Sequence, residues 1–199
     1  MTGIDTETEL ISQGSKAAEE QGIANINFKK GSANSLPFKD ETFDRVYAHQ
    51  VLLHLSDPVG ALCGMKRVTK TNGIICCRDA NLNSIFVYSK QCEEPLRYFF
   101  LSKSKKDTTS TAGGRALKRI AIESGFLKKI ITTSSSNWCV SSDEDREWFY
   151  ELYADRLRVA HDEKEDTFTK SEIENTWKSW IEADDGILIL VHCEILCRK

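Results

Sequence analysis

The sequence predicts an α/β fold built on a mostly parallel sheet. Three observations lead there. Segments of strand and helix character alternate from the first residue through Asp79, in the order strand, helix, strand, strand, helix, strand. Their spacing suits parallel strands joined by helical crossovers. The stretch Ile74–Asp79 is almost wholly apolar, as a strand covered on both faces should be.

Taken in order, Met1–Asp5 reads as the end of a short strand. Thr6–Gly22 is a helix whose apolar stripe is Leu10, Ile11, Ala17 and Ala18, closed by Gly22. Ile26–Lys30 alternates as a strand, and residues 31–42 form a loop holding Leu36-Pro37-Phe38. Phe43–Ala48 is the next strand. Asp57–Thr69 is a helix, with Asp57 as N-cap and Pro58 at the first helical position. Asn72-Gly73 is a turn into the apolar strand Ile74–Asp79.

The second half carries helical insertions around residues 86–111 and 142–183. Phe86–Leu101 reads as an aromatic helix, Lys103–Thr111 as a polar loop, and Gly114–Ser124 as an amphipathic helix ended by Gly125. Lys128–Ser134 reads as a strand. Asp143–His161 is a long helix carrying Trp148, Phe149, Tyr150 and Tyr153, and Ser171–Glu182 is another with Trp177 and Trp180. A turn at Asp184-Asp185-Gly186 leads into a long apolar strand, Ile187–Cys197.

A chain of 199 residues suits one domain with one core. Its 40% hydrophobic and 29% charged residues mark a folded chain, and a net charge of −3 offers no electrostatic footprint for nucleic acid. The seven cysteines include no CxxC pair, so buried reduced thiols and a cytoplasmic location are expected, with a nuclear pool left open. There is no apolar run of membrane-spanning length, and the first ten residues lack the features of a signal peptide.

Several ordered motifs lie between Phe28 and Asp79. Gly31-Ser32-Ala33 leads to Leu36-Pro37-Phe38, then to Phe43-Asp44-Arg45-Val46, a Leu- and His-rich segment at residues 51–55, and Arg67-Val68-Thr69-Lys70-Thr71-Asn72-Gly73. This series closely resembles the ubiquinone-biosynthesis type of class I S-adenosylmethionine-dependent methyltransferase. The ending, with Asn137-Trp138-Cys139, Glu147-Trp148 and Glu194-Ile195-Leu196-Cys197-Arg198-Lys199, is similar to bacterial and fungal methyltransferases of unassigned substrate. The resemblance implies a Rossmann-like sheet in which Ile187–Cys197 runs antiparallel to its neighbours. It implies S-adenosylmethionine as cofactor and a small-molecule methyl acceptor, with no nucleic-acid or membrane partner and no stated oligomeric state.

The resemblance also assigns residues. Asp5 stands where the family places the acid that binds the ribose hydroxyls; read from the residues alone, it equally caps the following helix. Ser32 and the Ala33 backbone N–H would meet the adenine; Leu36 and Phe38 either flank it or simply pack in the core. His49 and Gln50 follow a strand and fall near the sulfonium and the acceptor. His49 is the candidate general base, although in-line methyl transfer proceeds largely by alignment. Asp79 either faces the acceptor or caps a turn. Trp138, with Trp148, Trp177 and Trp180, forms either an aromatic lid or a core between helices and sheet. Lys103, Lys105 and Lys106 read as a solvated loop, and no metal site is expected.

One family feature is not within these 199 residues: a strand ending in a glycine-rich D-x-G-C-G-x-G turn and its helix. Gly113-Gly114 does not replace it, because no strand precedes it. The expectation is an incomplete sheet lacking the family's central strand, with Phe43–Ala48 exposed along one edge and cofactor binding impaired. The alternative is a noncatalytic remnant or interaction module of the same fold. A nicotinamide dehydrogenase using Asp5 fits the ordered motif series poorly.

Overall fold

The computed structural model describes residues 1–102, 109–159 and 167–199. Strand β1 (Thr2–Asp5), helix α1 (Thr8–Glu20) and strand β2 (Asn27–Lys30) form one parallel crossover, with Asp5 opposite Lys30 in register. Strand β3 (Phe43–His49) leads through a short 3₁₀ turn at Leu52–His54 to α2 (Pro58–Val68) and then to β4 (Thr69–Ala80), which pairs parallel with β3. Asp57 caps α2 as expected, accepting the Gly60 N–H at 2.8 Å. Next come β5 (Phe86–Tyr88), α3 (Glu93–Ser102), α4 (Gly113–Glu123), β6 (Ile131–Val140), α5 (Asp143–Val159), α6 (Lys170–Ile181) and β7 (Ile187–Arg198).

β7 is antiparallel to β4, β5 and β6, so β3, β4, β5 and β6 share one direction and β7 alone is reversed. That is the α/β sheet and the reversed strand the sequence led us to expect. β1 and β2 make a separate two-stranded sheet, and β3 is an edge strand of the larger one among the described residues.

Three segments differ from the sequence reading. Phe86–Tyr88 is a strand and not the start of a helix; Val87 is buried while Phe86 and Tyr88 are exposed, and the segment pairs with Ile187–Ile189. That period of two belongs to a strand. The turn expected at Asn72-Gly73 is an irregularity inside β4: between the pairs Phe43–Thr69 and Arg45–Ile74, β4 carries three more residues than β3, and Asn72 takes φ +66°. The strand expected at Lys128–Ser134 starts at Ile131 and runs on to Val140, because pairing with β7 overrides the weak strand propensity of Ser134-Ser135-Ser136-Asn137. Helix α5 is described to Val159; His161 and the lysines at 103, 105 and 106 lie outside the described residues.

Two apolar clusters cover the larger sheet. On one face Ala48, Ile75, Cys77, Ile195 and Cys197 pack against Leu62 and Met65 of α2 and Leu117 and Ile120 of α4. On the other, Leu188 and Leu190 of β7 pack with Leu96, Phe99 and Phe100 of α3, Phe149 and Tyr153 of α5, and Trp177 and Trp180 of α6. Trp177 and Trp180 are fully buried and so belong to a core, not a lid. All seven cysteines are unpaired; Cys77, Cys92 and Cys197 are buried, whereas Cys63 and Cys139 are exposed, contrary to the expectation of burial.

Candidate functional site

The parallel strands end where the chain places its polar side chains. His49, the last residue of β3, pairs with Arg78 of β4; Arg78 pairs with Glu194 of β7; Glu194 pairs with Ser134 of β6. Directly paired residues project from the same face, so these four form one row across the sheet. The next row contains Ala80, His192 and Ser136, and Trp138 follows on β6.

Hydrogen bonds lock the rows together. Arg78 Nε donates to Ser136 Oγ at 3.1 Å and to Glu194 Oε1 at 3.2 Å, while Nη1 donates to His49 Nε2 at 2.7 Å. Ser134 and Ser136 both donate to Glu194 at 2.6 Å. These two hydroxyls, followed by Arg78, hold the Glu194 carboxyl below the usual carboxylate range. The Trp138 ring lies 5.7 Å from the Arg78 guanidinium, within cation–π reach, and 4.8 Å from the His192 ring.

Gln50 follows with φ +56°, a left-handed conformation unusual outside glycine. Its N–H donates to the Arg78 carbonyl, its Oε1 accepts from Ala80 N–H, and its Nε2 donates to His192 Nε2 at 2.8 Å. Three bonds to neighbouring strands hold the strained backbone in place. Partial burial and then Arg78 hold His49 below the ordinary histidine value. Burial pushes His192, fully enclosed, down to about 4.

Asp79 takes the capping role of the two open to it. It is buried, and its two carboxylate oxygens accept the N–H groups of Val51 and Leu53 at 3.0 and 3.1 Å. It therefore holds the turn after β3 and does not face an acceptor. Burial raises its pKa to about 6, against the opposing pull of those two bonds. Gly113 and Gly114 also have a packing role. A Cβ at Gly114 would come 2.5 Å from the Asp79 carbonyl oxygen, and one at Gly113 would come 2.3 Å from Leu53 Cβ.

Asp5 and Ser32 lie together at the carboxyl ends of β1 and β2, where Gly31 N–H donates to the Asp5 carbonyl. Asp5 Oδ1 accepts from Glu7 N–H at 2.9 Å; among the described residues nothing bonds Oδ2. Ser32 closes a tight turn, its Oγ accepting from Asn34 N–H. Ala33 and Leu36 pack against the cluster that contains Leu62 and Met65, and Arg67 Nη2 donates to the Leu36 carbonyl, seating this loop beside α2. Of the predicted residues, His49, Gln50 and Trp138 converge with one another, and Asp5, Ser32 and Ala33 form a second group. Sequence reasoning missed Arg78, His192 and Glu194. The available signal was three charged or ionisable residues inside otherwise apolar strands.

Residues 1–152 match the family model described as a methyltransferase domain. Over 208 aligned residues the chain is 33% identical to an uncharacterized methyltransferase of Schizosaccharomyces pombe, spanning 99% of this chain and 75% of that protein. It is 30% identical over 98 residues to the demethylmenaquinone methyltransferase of Geobacillus stearothermophilus, covering 49% of this chain and 40% of that one. Its fold is similar to that of a putative methyltransferase from Bacillus halodurans, with TM-score 0.62 at 14% identity over all of this chain and 82% of that one. Family model, relatives and fold together mark a class I S-adenosylmethionine-dependent methyltransferase. The chain belongs to the methyltransferase-domain family.

The adenosine end of the family's cofactor fits the residues present. Asp5 offers, at a strand end, a carboxylate oxygen without a partner among the described residues, which could accept from ribose hydroxyls. The methionine end finds no glycine-rich turn within these residues. No helix among the described residues is long and apolar enough to cross a membrane.

Proposed function

We propose that this methyltransferase acts on a small molecule, taken up where His49, Gln50 and Trp138 meet, and that the 199-residue chain alone is impaired in binding its cofactor. Convergence of these residues at the carboxyl ends of β3 and β4 supports the acceptor site. Asp5 would hold the ribose, with Ser32 and the Ala33 N–H at the adenine. The bound sulfonium supplies the methyl group; the protein orients the acceptor and excludes water. With Nε2 taken by Arg78, His49 contributes a donor in place of the general base expected from the sequence. A reducing, cytoplasmic setting fits the unpaired cysteines.

Calorimetric titration with S-adenosylmethionine tests this on two forms: the chain alone, and the chain preceded by a strand, glycine-rich turn and helix. Two or three lost hydrogen bonds at the methionine end predict binding roughly 10- to 1000-fold weaker in the chain alone. Micromolar binding by the chain alone overturns the impairment. No binding by either form favours a noncatalytic module and overturns the methyltransferase activity.

A further inference from the structure

We propose that Arg78 and His49 form a donor site for an oxyanion at the carboxyl ends of β3 and β4, and that Gln50, His192 and Glu194 are the residues that position them. The ligand class is a methyl acceptor bearing a carboxylate or comparable oxyanion beside its nucleophile. This rests on reading the β3–β4 end as the acceptor site.

Hydrogen-bond direction carries the argument. A guanidinium only donates. The 2.7 Å contact from Arg78 Nη1 therefore makes His49 Nε2 an acceptor and puts the single ring proton on Nδ1. Among the described residues nothing takes the Nδ1–H of His49, an exposed residue. Arg78 spends Nε on Ser136 and Glu194, and Nη1 on His49; nothing among the described residues takes Nη2, which is not one of the buried unpaired atoms. Two donors on residues paired across β3 and β4 are thus open at this strand end, one of them cationic.

The surrounding groups hold this state. The Ala80 N–H can only donate, so it fixes the Gln50 carboxamide with Oε1 toward Ala80 and the NH₂ toward His192. His192 Nε2 must then accept, and the ring beside Arg78 is neutral. The cationic charge of the cluster then sits on Arg78. Glu194 is saturated by two serine hydroxyls and Arg78, which disperses its charge and fixes the guanidinium plane. Trp138 gives that plane one apolar face. Since His49 Nε2 is occupied, the acceptor enters with its nucleophilic lone pair already free.

Long-range ¹⁵N–¹H spectra of the ¹⁵N-labelled chain read both tautomers. Both histidines should be neutral Nδ1–H forms at pH 7. Benzoate is the anionic probe and benzylamine, present as its cation, the control. Benzoate should shift the His49 and Arg78 side-chain resonances and benzylamine should not. Arg78→Gln should weaken benzoate binding about tenfold or more, the loss of a charged hydrogen bond, and Arg78→Lys should restore part of it. If Arg78→Gln does not fold, the wild-type tautomers and the lysine variant still decide. A proton on His49 Nε2, a doubly protonated His49 at pH 7, or equal responses to the two probes would overturn the proposal. No readout uses the cofactor. Benzoate binding without S-adenosylmethionine binding by the extended form keeps the oxyanion site and sinks the methyltransferase reading. The reverse result sinks the oxyanion site alone.

Discussion

Gln50 Nε2 lies 2.8 Å from His192 Nε2, tying the left-handed residue after β3 to a buried imidazole on β7, 142 positions away in sequence. The contact requires a neutral imidazole, and burial holds the folded pKa near 4 against 6.5 for the free side chain. Between those values the unfolded chain binds more protons, so stability falls as pH falls. The His192 contribution is fully present above about pH 6.5 and is lost as pH drops through about 4. Urea midpoints from pH 4 to 7 should show wild type losing roughly 2–3 kcal/mol relative to His192→Gln on acidification. Parallel profiles would show that His192 titrates normally in the folded state.

Asp79 should give the opposite slope. Its pKa is raised from 3.8 to about 6, so the folded state binds more protons across that window and stability falls as pH rises. Replacing it with Ala leaves the Val51 and Leu53 N–H groups unpaired and relieves the buried carboxyl. The net loss at neutral pH should be about 1–3 kcal/mol. Asp79→Asn keeps one acceptor and should lose less. Its deficit against wild type should shrink as pH rises from 4 to 6, as denaturant titrations at the two pH values would record.

Gly114 is held by backbone rather than by conformation. A Cβ there meets the Asp79 carbonyl oxygen at 2.5 Å and Ala80 main-chain atoms at 3.0 Å, neither of which can rotate away. Gly114→Ala should therefore shift α4 and lower the melting temperature by several degrees, the response of a domain this size to a loss of about 1–3 kcal/mol. A melting temperature unchanged from wild type would mean that α4 slides freely on β4.

The tryptophans separate core from rim. Trp177 is fully buried among Phe99, Phe100, Phe149 and Tyr153, and truncation to Ala should cost about 3–5 kcal/mol by chemical denaturation. Trp148 is 51% exposed and contacts Trp138 and Phe149. Its truncation should cost well under that, and a loss equal to that of Trp177 would place it in the core.

The parts of this molecule legible in sequence are those set by local pattern. The Asp57-Pro58 start of α2, the Gly125 stop with φ +78° and the apolar core of β4 follow from caps and periodicity. The β6 strand was half hidden because its serines owe their conformation to β7, and β5 because three aromatic and aliphatic residues look alike in either period. In the site, His49 and Gln50 stood out by following a strand. Arg78, His192 and Glu194 did not, since their meaning is a row across three strands whose register no local pattern encodes.

Asp5 offers a test that separates its two roles. Its Oδ1 accepts the Glu7 N–H at 2.9 Å and supports the start of α1, while Oδ2 has no partner among the described residues. Asn in its place keeps an acceptor for Glu7 and removes the charge. If Asp5 only holds the turn into α1 through the Glu7 N–H, Asp5→Asn changes stability and cofactor affinity little, since the amide oxygen can accept the same bond. If it also holds the ribose, a charge-assisted bond becomes a neutral one and a donor NH₂ faces the hydroxyls. Affinity for S-adenosylmethionine in the form carrying the glycine-rich turn should then fall about tenfold or more, with the melting temperature within a degree or two of wild type. Asp5→Ala should lose both affinity and some stability. Unchanged affinity in Asp5→Asn, measured by the same titration, would leave the carboxylate as the anchor of the turn into α1 and move ribose recognition elsewhere.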